Sequence, residues 1–298
     1  MSAPTIQQAF VNGRKNIVAW ANYLQTLREF FVGRGFYEVV TDHLVPAGAF
    51  EACLDTLKVE WAGGQAELHT SPEIEMKRLL AEGSGSIFQI CQCFRDDPDT
   101  GVHRREFSML EFYEVGANWE KVMELVKALI SELSGRPLSF RLLTFEAAFK
   151  KFAGVSLYPI DPERLRSESS VAFHPSDTWD DMVFKILVEQ VEPAFDPNIP
   201  TVLCEYPASM SALARVDQRG RAERFEIYWQ GMELCNGCTE LTSLKELKKR
   251  TQEQGSQRQS ENKTAHPVPD RLVEAFDRGL PPCAGVAVGL ERLFSCLS

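Results

Sequence analysis

Two arginines and a group of carboxylates are the residues best suited to chemistry in this sequence. Arg95 ends a strand-like segment, and Arg292 stands near the start of a helix-like one. The carboxylates and a phenol stand in or next to other strand-like segments: Glu111, Tyr113, Glu226, Glu233 and Glu240. Guanidinium groups bind phosphates, and carboxylates bind Mg²⁺ or a cationic substrate. The set suits a nucleoside triphosphate with Mg²⁺ and a cationic substrate, although a solvated, charged sheet face would have the same composition.

Two segments that could position these side chains are typical of a β-hairpin. Residues 88–95 (FQICQCFR) and 105–115 (REFSMLEFYEV) have strand-like patterns, and the polar stretch DDPDTGVHR between them predicts a loop. Side chains alternate along a strand, so Phe107, Met109, Glu111 and Tyr113 are expected on one face. That face would carry an aromatic ring, a carboxylate and a phenol in a row.

A second hairpin is predicted over residues 224–234 (RFEIYWQGMEL), with its turn near Gln230 and Gly231. This arrangement would place Glu226 roughly opposite Glu233. Near the end of the chain, the Gly-rich strand-like segment GVAVG (285–289) leads into a helix that holds Arg292. The three segments together predict a sheet that carries most of the candidate residues.

Helices are expected to flank this sheet. Apolar spacing indicates helices over residues 16–35, 73–83, 118–134 and 271–280, and Asn118 is the expected cap of the third. FYEVVT (36–41) is predicted to be a strand, and the polar segment after residue 241 a helix that runs into a mobile loop. The predicted fold class is α+β, an antiparallel β-sheet flanked by helices. We expect one catalytic domain over residues 1–298, with a helical insert at about 140–200.

Composition narrows the range of functions. The chain has 298 residues and a net charge of -10, which argues against a broad basic surface for nucleic acid. It has no run of eighteen apolar residues, so we expect no membrane association and a cytoplasmic location. The eight cysteines are expected to be reduced thiols. Cys235 and Cys238 form a C-x-x-C pair, but zinc needs about four ligands and no second pair is nearby, so a metal role is disfavoured.

Four ordered segments carry a resemblance to a known family. FRDDPDTGVHRREFSMLEFYEV (94–115) resembles motif 2 of the class II aminoacyl-tRNA synthetases, and GVAVGLERL (285–293) resembles motif 3. ELCNGCTEL (233–241) and TSPEIEMKRLL (70–80) resemble signatures of the lysine enzymes in that family. Within it, the chain is most similar to the free-standing ligases that modify elongation factor P. Ser71 and Ala287 agree with those ligases, where the tRNA enzymes usually have Ala and Gly.

The resemblance implies an ATP site with Mg²⁺. Its ATP-binding residues would be Arg95, Asp96, Asp97, His103, Arg104, Phe107, Glu233, Leu234, Gly289 and Arg292. Arg95 and Arg292 would be the catalytic pair, with Arg95 on the α-phosphate and the substrate carboxylate and Arg292 on the γ-phosphate. Phe107 would stack on the adenine, and Asp97 would face its amino group. Glu226 and Glu233 would bind the metal.

The same resemblance implies an amino-acid pocket. Its substrate-binding residues would be Ser71, Pro72, Glu73, Glu111, Tyr113, Asn236, Glu240 and Ala287. Glu111, Tyr113 and Glu240 would receive the distal ammonium of lysine or (R)-β-lysine. Glu73 would meet the nearer amino group.

The resemblance also bears on partners. Elongation factor P is the expected acceptor protein and a homodimer the expected assembly. Charging of tRNA is not expected, because only about fifteen residues precede the catalytic core where lysyl-tRNA synthetases carry an anticodon-binding barrel. Two stretches depart from the family pattern. Asp42 stands in the stretch where motif 1 has a proline, and Gly101 and Val102 stand where an arginine precedes His103.

The function implied is ATP-dependent activation of (R)-β-lysine or lysine to an aminoacyl-adenylate, followed by transfer to a lysine side chain of elongation factor P. Attack of a carboxylate on the α-phosphate needs no general base, so positioning and charge neutralisation would carry the catalysis. Two alternatives stay open: a lysine-type ligase that charges tRNA or a small acceptor, and a non-catalytic paralogue that binds lysine or nucleotide.

Overall fold

A mixed β-sheet forms the centre of the molecule. The computed structural model describes residues 14–49, 51–97, 104–260, 263–266 and 269–297. Eight of the described strands pair in the order β1-β5-β6-β11-β10-β9-β8-β7. These strands are β1 (Tyr37–Glu38), β5 (Ile87–Phe94), β6 (Glu106–Val115), β7 (Arg141–Thr144), β8 (Thr201–Pro207), β9 (Arg221–Trp229), β10 (Met232–Thr239) and β11 (Cys283–Gly289). A separate three-stranded antiparallel sheet contains β2 (Leu44–Val45), β3 (Lys58–Trp61) and β4 (Gly64–Leu68) in the order β2-β4-β3.

The α+β prediction is confirmed, with one difference at the edges of the sheet. The six strands from β5 to β8 in the sheet order are all antiparallel. The outer strands β1 and β7 pair in parallel with β5 and β8. Only two residues of the predicted strand FYEVVT join the sheet, and they pair with the start of β5.

The helices lie against this sheet. They are α1 (Arg14–Val32), α2 (Glu73–Ala81), α3 (Trp119–Leu133), α4 (Phe145–Phe152), α5 (Pro162–Glu168), α6 (Trp179–Ile186), α7 (Leu244–Ser260), α8 (Asp270–Arg278) and α9 (Leu290–Leu297). α1 and α3 pack their apolar residues into one core with the central strands. As expected, Asn118 caps α3, because its side-chain oxygen accepts a hydrogen bond from the Lys121 amide at 3.1 Å. No helix in the described ranges is both long and apolar enough to cross a membrane.

Aromatic rings join α1 to the sheet. Phe31 is fully buried, and its ring centroid lies 5.0 Å from that of Phe88 and 4.8 Å from that of Phe112. Phe88 and Phe112 are paired residues of β5 and β6. The hairpin predicted from the sequence is therefore held from behind by α1, and its opposite face is left for the candidate site.

The segment at 140–200 does not contain helices alone. It begins with strand β7, which pairs with β8, and continues through α4, α5 and α6. A single π-helical turn (Leu187–Val191) and a 3-10 turn (Glu192–Ala194) follow α6. These elements share a second core that includes Phe145, Phe149 and Val183 and continues onto β8 and β9. The segment is thus packed into the main sheet through β7.

The hairpin β9–β10 turns where the sequence predicted, but its register is different. Gln230 and Gly231 both have positive φ values, 52° and 76°, which fits the two-residue turns that join twisted strands. A β-bulge between Glu233 and Cys235 shifts the pairing that follows. The expectation that Glu226 faces Glu233 was wrong: Glu233 pairs with Tyr228 before the bulge, and Glu226 pairs with Asn236 after it.

The polar segment after residue 241 is a longer ordered helix than expected. α7 extends to Ser260, and the buried guanidinium of Arg258 fixes its end. Nη1 of Arg258 donates to the carbonyl oxygens of Ala52 and Leu54 at 2.9 and 3.0 Å, and Nη2 lies 2.8 Å from the Asp55 carboxylate. α7 is thereby attached to the loop at residues 51–55.

Removal of the Phe31 ring is expected to destabilise the fold strongly. The Phe31→Ala variant leaves a cavity between α1 and the hairpin β5–β6, which should lower the free energy of unfolding by about 3–5 kcal/mol. The adjacent Val32 is 59% exposed, so Val32→Ala should change the free energy of unfolding by no more than about 0.5 kcal/mol. Urea unfolding of both variants measures the difference. Equal losses would contradict the packing described for Phe31.

Candidate active site

The register of four neighbouring strands places candidate residues in one row across the sheet. Glu111 of β6 pairs with Ala287 of β11, Ala287 pairs with Asn236 of β10, and Asn236 pairs with Glu226 of β9. Paired residues of neighbouring strands point to the same face of a sheet. Residues that are far apart in the sequence are thus brought onto one surface.

This surface lines a cavity of about 660 Å³. Most of the predicted site residues line it: Ser71, Glu73, Arg95, Asp97, Arg104, Phe107, Glu111, Tyr113, Glu226, Glu233, Leu234, Asn236, Glu240, Ala287, Gly289 and Arg292. Pro72 and Asp96 do not line the cavity; Pro72 precedes α2, and Asp96 pairs with Arg105 on the surface. His103 lies outside the described residues.

A buried ammonium group of the protein lies behind the carboxylates at one end of the cavity. Lys77 of α2 is fully buried, and its Nζ lies 2.5 Å from Oε1 of Glu73 and 2.6 Å from Oε2 of Glu240. Burial alone would lower the pKa of Lys77, but the charges of Glu240 and Glu73 outweigh it and raise the pKa well above its ordinary value. Lys77 is therefore charged and joins α2 to the end of β10.

A second acidic group lies beside this ion cluster. The hydroxyl of Tyr113 donates a hydrogen bond of 2.5 Å to Oε1 of Glu111, and both side chains are buried. Burial and the charge of Glu73 raise the pKa of Glu111 well above its ordinary range. Burial also raises the pKa of Glu240, against the opposing charge of Lys77. This end of the cavity has more carboxylates than cations.

The absence of a side chain at Gly285 allows Tyr113 and Glu240 to lie close to each other. A Cβ atom at this position would lie 2.4 Å from the ring of Tyr113 and 2.8 Å from Oε1 of Glu240. Real Cβ atoms do not approach other atoms so closely. Gly285 therefore leaves the space in which the phenol of β6 and the carboxylate that follows β10 lie side by side.

Glu226 is held by three donors on the far side of the row. Its Oε2 accepts hydrogen bonds of 2.5 Å from the hydroxyls of Tyr206 and Tyr228, and its Oε1 accepts one of 2.6 Å from Nη2 of Arg224. A carboxylate offers about four acceptor positions. One position, on Oε1, is left for a further partner. Arg224 also donates to Oδ1 of Asn236 at 3.2 Å.

The other end of the cavity carries the two predicted catalytic arginines. The guanidinium carbon of Arg95 lies 5.1 Å from the ring centroid of Phe107, and its buried Nε has no hydrogen-bond partner among the described residues. Arg292 donates from Nη1 to the backbone oxygen of Glu233 at 2.9 Å and lies 3.9 Å from its carboxylate. Burial and the charge of Glu226 raise the pKa of Glu233 to about 7.

The cysteines are free thiols in the described residues, as expected. Cys238 points toward Glu240, with its sulfur 3.5 Å from Oε1, and Cys235 is buried in the core behind the sheet. They do not join a group of three metal-binding side chains in the described part of the chain.

A hydrogen bond from Cys93, opposed by burial, lowers the pKa of the Cys91 thiol to about 5.

Sequence reasoning missed two cations of the site, Lys77 and Arg224. Lys77 stands four residues after Glu73, the spacing at which side chains meet on a helix, and next to the buried Met76. Arg224 stands two residues before Glu226, so alternation along β9 places both on one face. These spacings were readable in the sequence, but nothing in them shows that either cation is buried.

The fold and the site define the class of protein. The family model described as tRNA synthetases class II (D, K and N) matches residues 10–298, and the chain belongs to this family. The elongation factor P–(R)-β-lysine ligase of Vibrio atlanticus is 34% identical over 292 residues, which cover 94% of this chain and 90% of the relative. The same ligase of Vibrio cholerae is 35% identical, with 92% and 88% covered. A homologue of the ligase in Aquifex aeolicus is 34% identical, with 93% of both chains covered.

These similarities confirm the expectation of an ATP-dependent amino-acid ligase of the class II synthetase type. Among the motifs singled out in the sequence, the motif 2 hairpin corresponds to β5 and β6, and motif 3 corresponds to β11 and α9. The lysine-type signature (233–241) corresponds to β10 and the residues after it. Three of the four strands that form the row across the sheet, β6, β11 and β10, thus belong to the family motifs.

Replacement of Lys77 by an isosteric apolar residue should reveal the buried ion cluster. Lys77→Met leaves Glu73 and Glu240 without their cation, so we expect a loss of about 3–5 kcal/mol in the free energy of unfolding at neutral pH. The loss should become smaller as the pH falls, because protonation of Glu240 removes an uncompensated charge. Urea unfolding at neutral and mildly acidic pH measures both effects.

The control for this variant is Lys127→Met, which removes a surface ion pair with Glu124. It should change the free energy of unfolding by no more than about 0.5 kcal/mol at either pH. If the two lysine variants behaved alike, Lys77 would not have the role described here.

Proposed function

We propose that this enzyme activates (R)-β-lysine or lysine with ATP and transfers the activated amino acid to a lysine side chain of elongation factor P. The observation that carries the proposal is the charge balance at the acidic end of the cavity. Glu73, Glu111 and Glu240 contribute three negative charges when ionised, and Lys77 supplies one positive charge. Two positive charges are needed for balance, and a lysine isomer carries two ammonium groups.

The other charges of the cavity suit the rest of the reactants. The carboxylate of the amino acid and the α-phosphate of ATP both need a cation, and Arg95 offers guanidinium donors without a hydrogen-bond partner at Nε. Phe107 beside it presents an aromatic face suited to stacking on adenine. In this proposal, Arg292 contacts the γ-phosphate, while Arg104 lines the cavity at the triphosphate.

The residues present fit Mg²⁺, which prefers carboxylate oxygens. Glu233 would provide the main ligand, because its side chain is 40% exposed and its carboxylate accepts no short hydrogen bond from the described residues. Glu226 would contribute through the single acceptor position that its three donors leave open on Oε1. When bound, Mg²⁺ would neutralise phosphate charge.

The proposed chemistry has two steps. A carboxylate oxygen of the amino acid attacks the α-phosphorus, the bond to the β-phosphate breaks, and pyrophosphate leaves. The amine of the acceptor lysine then attacks the carbonyl carbon, the bond to AMP breaks, and the nitrogen loses a proton. In the first step, Arg95 would hold both reacting groups close together and stabilise the charge that develops on the α-phosphate.

We propose that Ala287 and Ser71 determine which amino acid the pocket prefers. Ala287 lies in the row between Glu111 and Asn236, and Ser71 lines the same cavity just before α2. A methyl group at position 287 narrows the space between the distal carboxylate and the amide. Ser71 and Ala287 match the elongation factor P ligases, and the relatives named above carry (R)-β-lysine in their names. We therefore propose (R)-β-lysine as the preferred substrate.

Intact mass measurement of elongation factor P tests the whole proposal. After incubation with the enzyme, ATP, Mg²⁺ and (R)-β-lysine, the protein should gain the mass of one lysyl unit, and more slowly with α-lysine. Arg95→Ala should reduce the rate by about 100-fold or more, because it removes a cation from the reacting phosphate. Arg105→Ala, an exposed arginine outside the cavity, should keep the wild-type rate.

The outcomes of this experiment separate the alternatives. Pyrophosphate release without modification of elongation factor P would retain the adenylating activity but contradict the acceptor. Charging of tRNA by the same preparation would favour a tRNA ligase. Binding of ATP or lysine with neither product would point to a non-catalytic paralogue.

The affinity for the amino acid should fall as the pH falls. Glu111 and Glu240 have raised pKa values in the protein, so they take up protons at a higher pH than free carboxylates do. The ammonium groups of the substrate need these carboxylates ionised and remain charged throughout this range. Below the raised pKa values, binding must displace protons, and KM for the amino acid should rise by up to about tenfold per pH unit for each proton displaced.

Amino-acid-dependent ATP–pyrophosphate exchange across the neutral to acidic range measures this dependence. Glu240→Gln should weaken binding and make it less sensitive to pH, because one titrating group is removed. A KM for the amino acid that stays constant over the range would contradict the charge-balance argument.

A further inference from the structure

Three side chains outside the catalytic cavity form a cluster that the proposed reaction does not use. They are His43, which precedes β2, His69, which follows β4, and Cys91 of β5. One ligand atom from each lies within 4.8 Å of those of the other two. None of the three residues lines the cavity. We propose that His43, His69 and Cys91 bind a zinc ion that joins the three-stranded sheet to the central sheet.

The hydrogen bonding of the His69 ring is the strongest support for a bound metal. The residue is only 2% exposed, and its Nε2 lies 2.8 Å from the backbone oxygen of Gln92. A carbonyl oxygen can only accept, so Nε2 carries the proton and Nδ1 carries a lone pair. Nδ1 is buried and, apart from the Cys91 thiol of the same cluster, has no partner in the described part of the chain. A histidine that donates one ring N–H to a carbonyl and turns the other nitrogen toward a metal is the usual arrangement in metal sites.

The backbone holds the two histidines beside each other. The amide of His69 donates to the backbone oxygen of His43 at 3.0 Å, and the amide of Phe94 donates to the backbone oxygen of His69 at 3.0 Å. The ring centroids of the two histidines lie 5.0 Å apart. The loop before β2, the end of β4 and strand β5 are thus already connected around the cluster. The side chain of His43 is exposed, whereas His69 and Cys91 are buried, so His43 is the member of the cluster with the most freedom to move.

The donor set favours zinc over the Mg²⁺ of the proposed reaction. Two imidazoles and a thiol are soft or borderline ligands, which suit Zn²⁺, whereas Mg²⁺ prefers oxygen. Ligand atoms around tetrahedral zinc lie roughly 3.3–3.8 Å apart, so the cluster has to contract by about 1 Å. The sulfur of Cys93 lies 3.9 Å from that of Cys91, close to the separation of two sulfurs on one zinc.

Such an ion would act on the structure around the catalytic cavity. Thr70 and Ser71, which follow His69, line that cavity, and so does Met109, which pairs with Cys91. Zinc bound to His69 and Cys91 would fix the segment that leads into α2 against β5. The inference is independent of the proposed reaction, because metal content and thermal stability report on it without any assay of activity.

Metal binding by the purified full-length chain tests the proposal. After treatment with a chelator and removal of the chelator, zinc titration should give one tightly bound ion per chain and a higher Tm. Co²⁺ in place of zinc should give the absorption of a cobalt–thiolate bond. His43→Ala and Cys91→Ser should each weaken zinc binding by more than about tenfold, since even the loss of a group that only orients a ligand costs 10–100-fold.

Matched controls come from residues of the same type elsewhere on the surface. His174→Ala and Cys53→Ser replace an exposed histidine and an exposed thiol and should leave zinc binding unchanged. His43 is exposed, so its alanine variant should remain folded, which circular dichroism verifies. Failure of the wild-type chain to bind zinc, equal binding by His43→Ala, or a cobalt spectrum without the thiolate band would each overturn the proposal.

Discussion

The buried contact between Lys77 and two carboxylates is the interaction on which the rest of the site depends. It joins α2 to the residue that follows β10, and so connects the segment before motif 2 to the lysine-type signature. A fully buried ammonium is tolerated only with partners that balance its charge, and here the partners exceed it. The same cluster thus secures a helix against the sheet and leaves an acidic surplus facing the cavity. Stability and the proposed substrate preference depend on the same set of charges.

The rest of the sheet holds these surplus carboxylates in place. Phe31 packs behind the hairpin β5–β6 and leaves its front free for Glu111 and Tyr113. Gly285 leaves room on the adjacent strand for the phenol and the carboxylate of Glu240. On the other side of the row, two tyrosines and an arginine hold Glu226. Together these contacts fix the positions of carboxylates that would otherwise repel one another.

Much of the fold and site could be predicted from the sequence, because the strands have clear patterns and the motifs have a fixed order. The face of β6, the cap at Asn118 and the turn at Gln230 and Gly231 depend on local rules, and the structure follows them. The burial of Lys77 depends instead on tertiary contacts, since a lysine on a short helix ordinarily faces water. The opposition of Glu226 and Glu233 was wrong because the turn at Gln230 and Gly231 already pairs Glu233 with Tyr228; the bulge, which alternation cannot foresee, then moves the partner of Glu226 one residue further, to Asn236.

The bulge in β10 has a further consequence for how this region of the chain can vary. Glu233 and Asn236 are three positions apart, so in an unbroken strand they would point to opposite sides of the sheet. The extra residue between Glu233 and Cys235 brings both to the cavity. Loss of one residue here would leave the composition and hydrophobicity of the strand almost unchanged, yet it would separate the proposed metal ligand from the proposed amino-acid pocket. Substitutions in this strand can therefore be tolerated more readily than any change in its length.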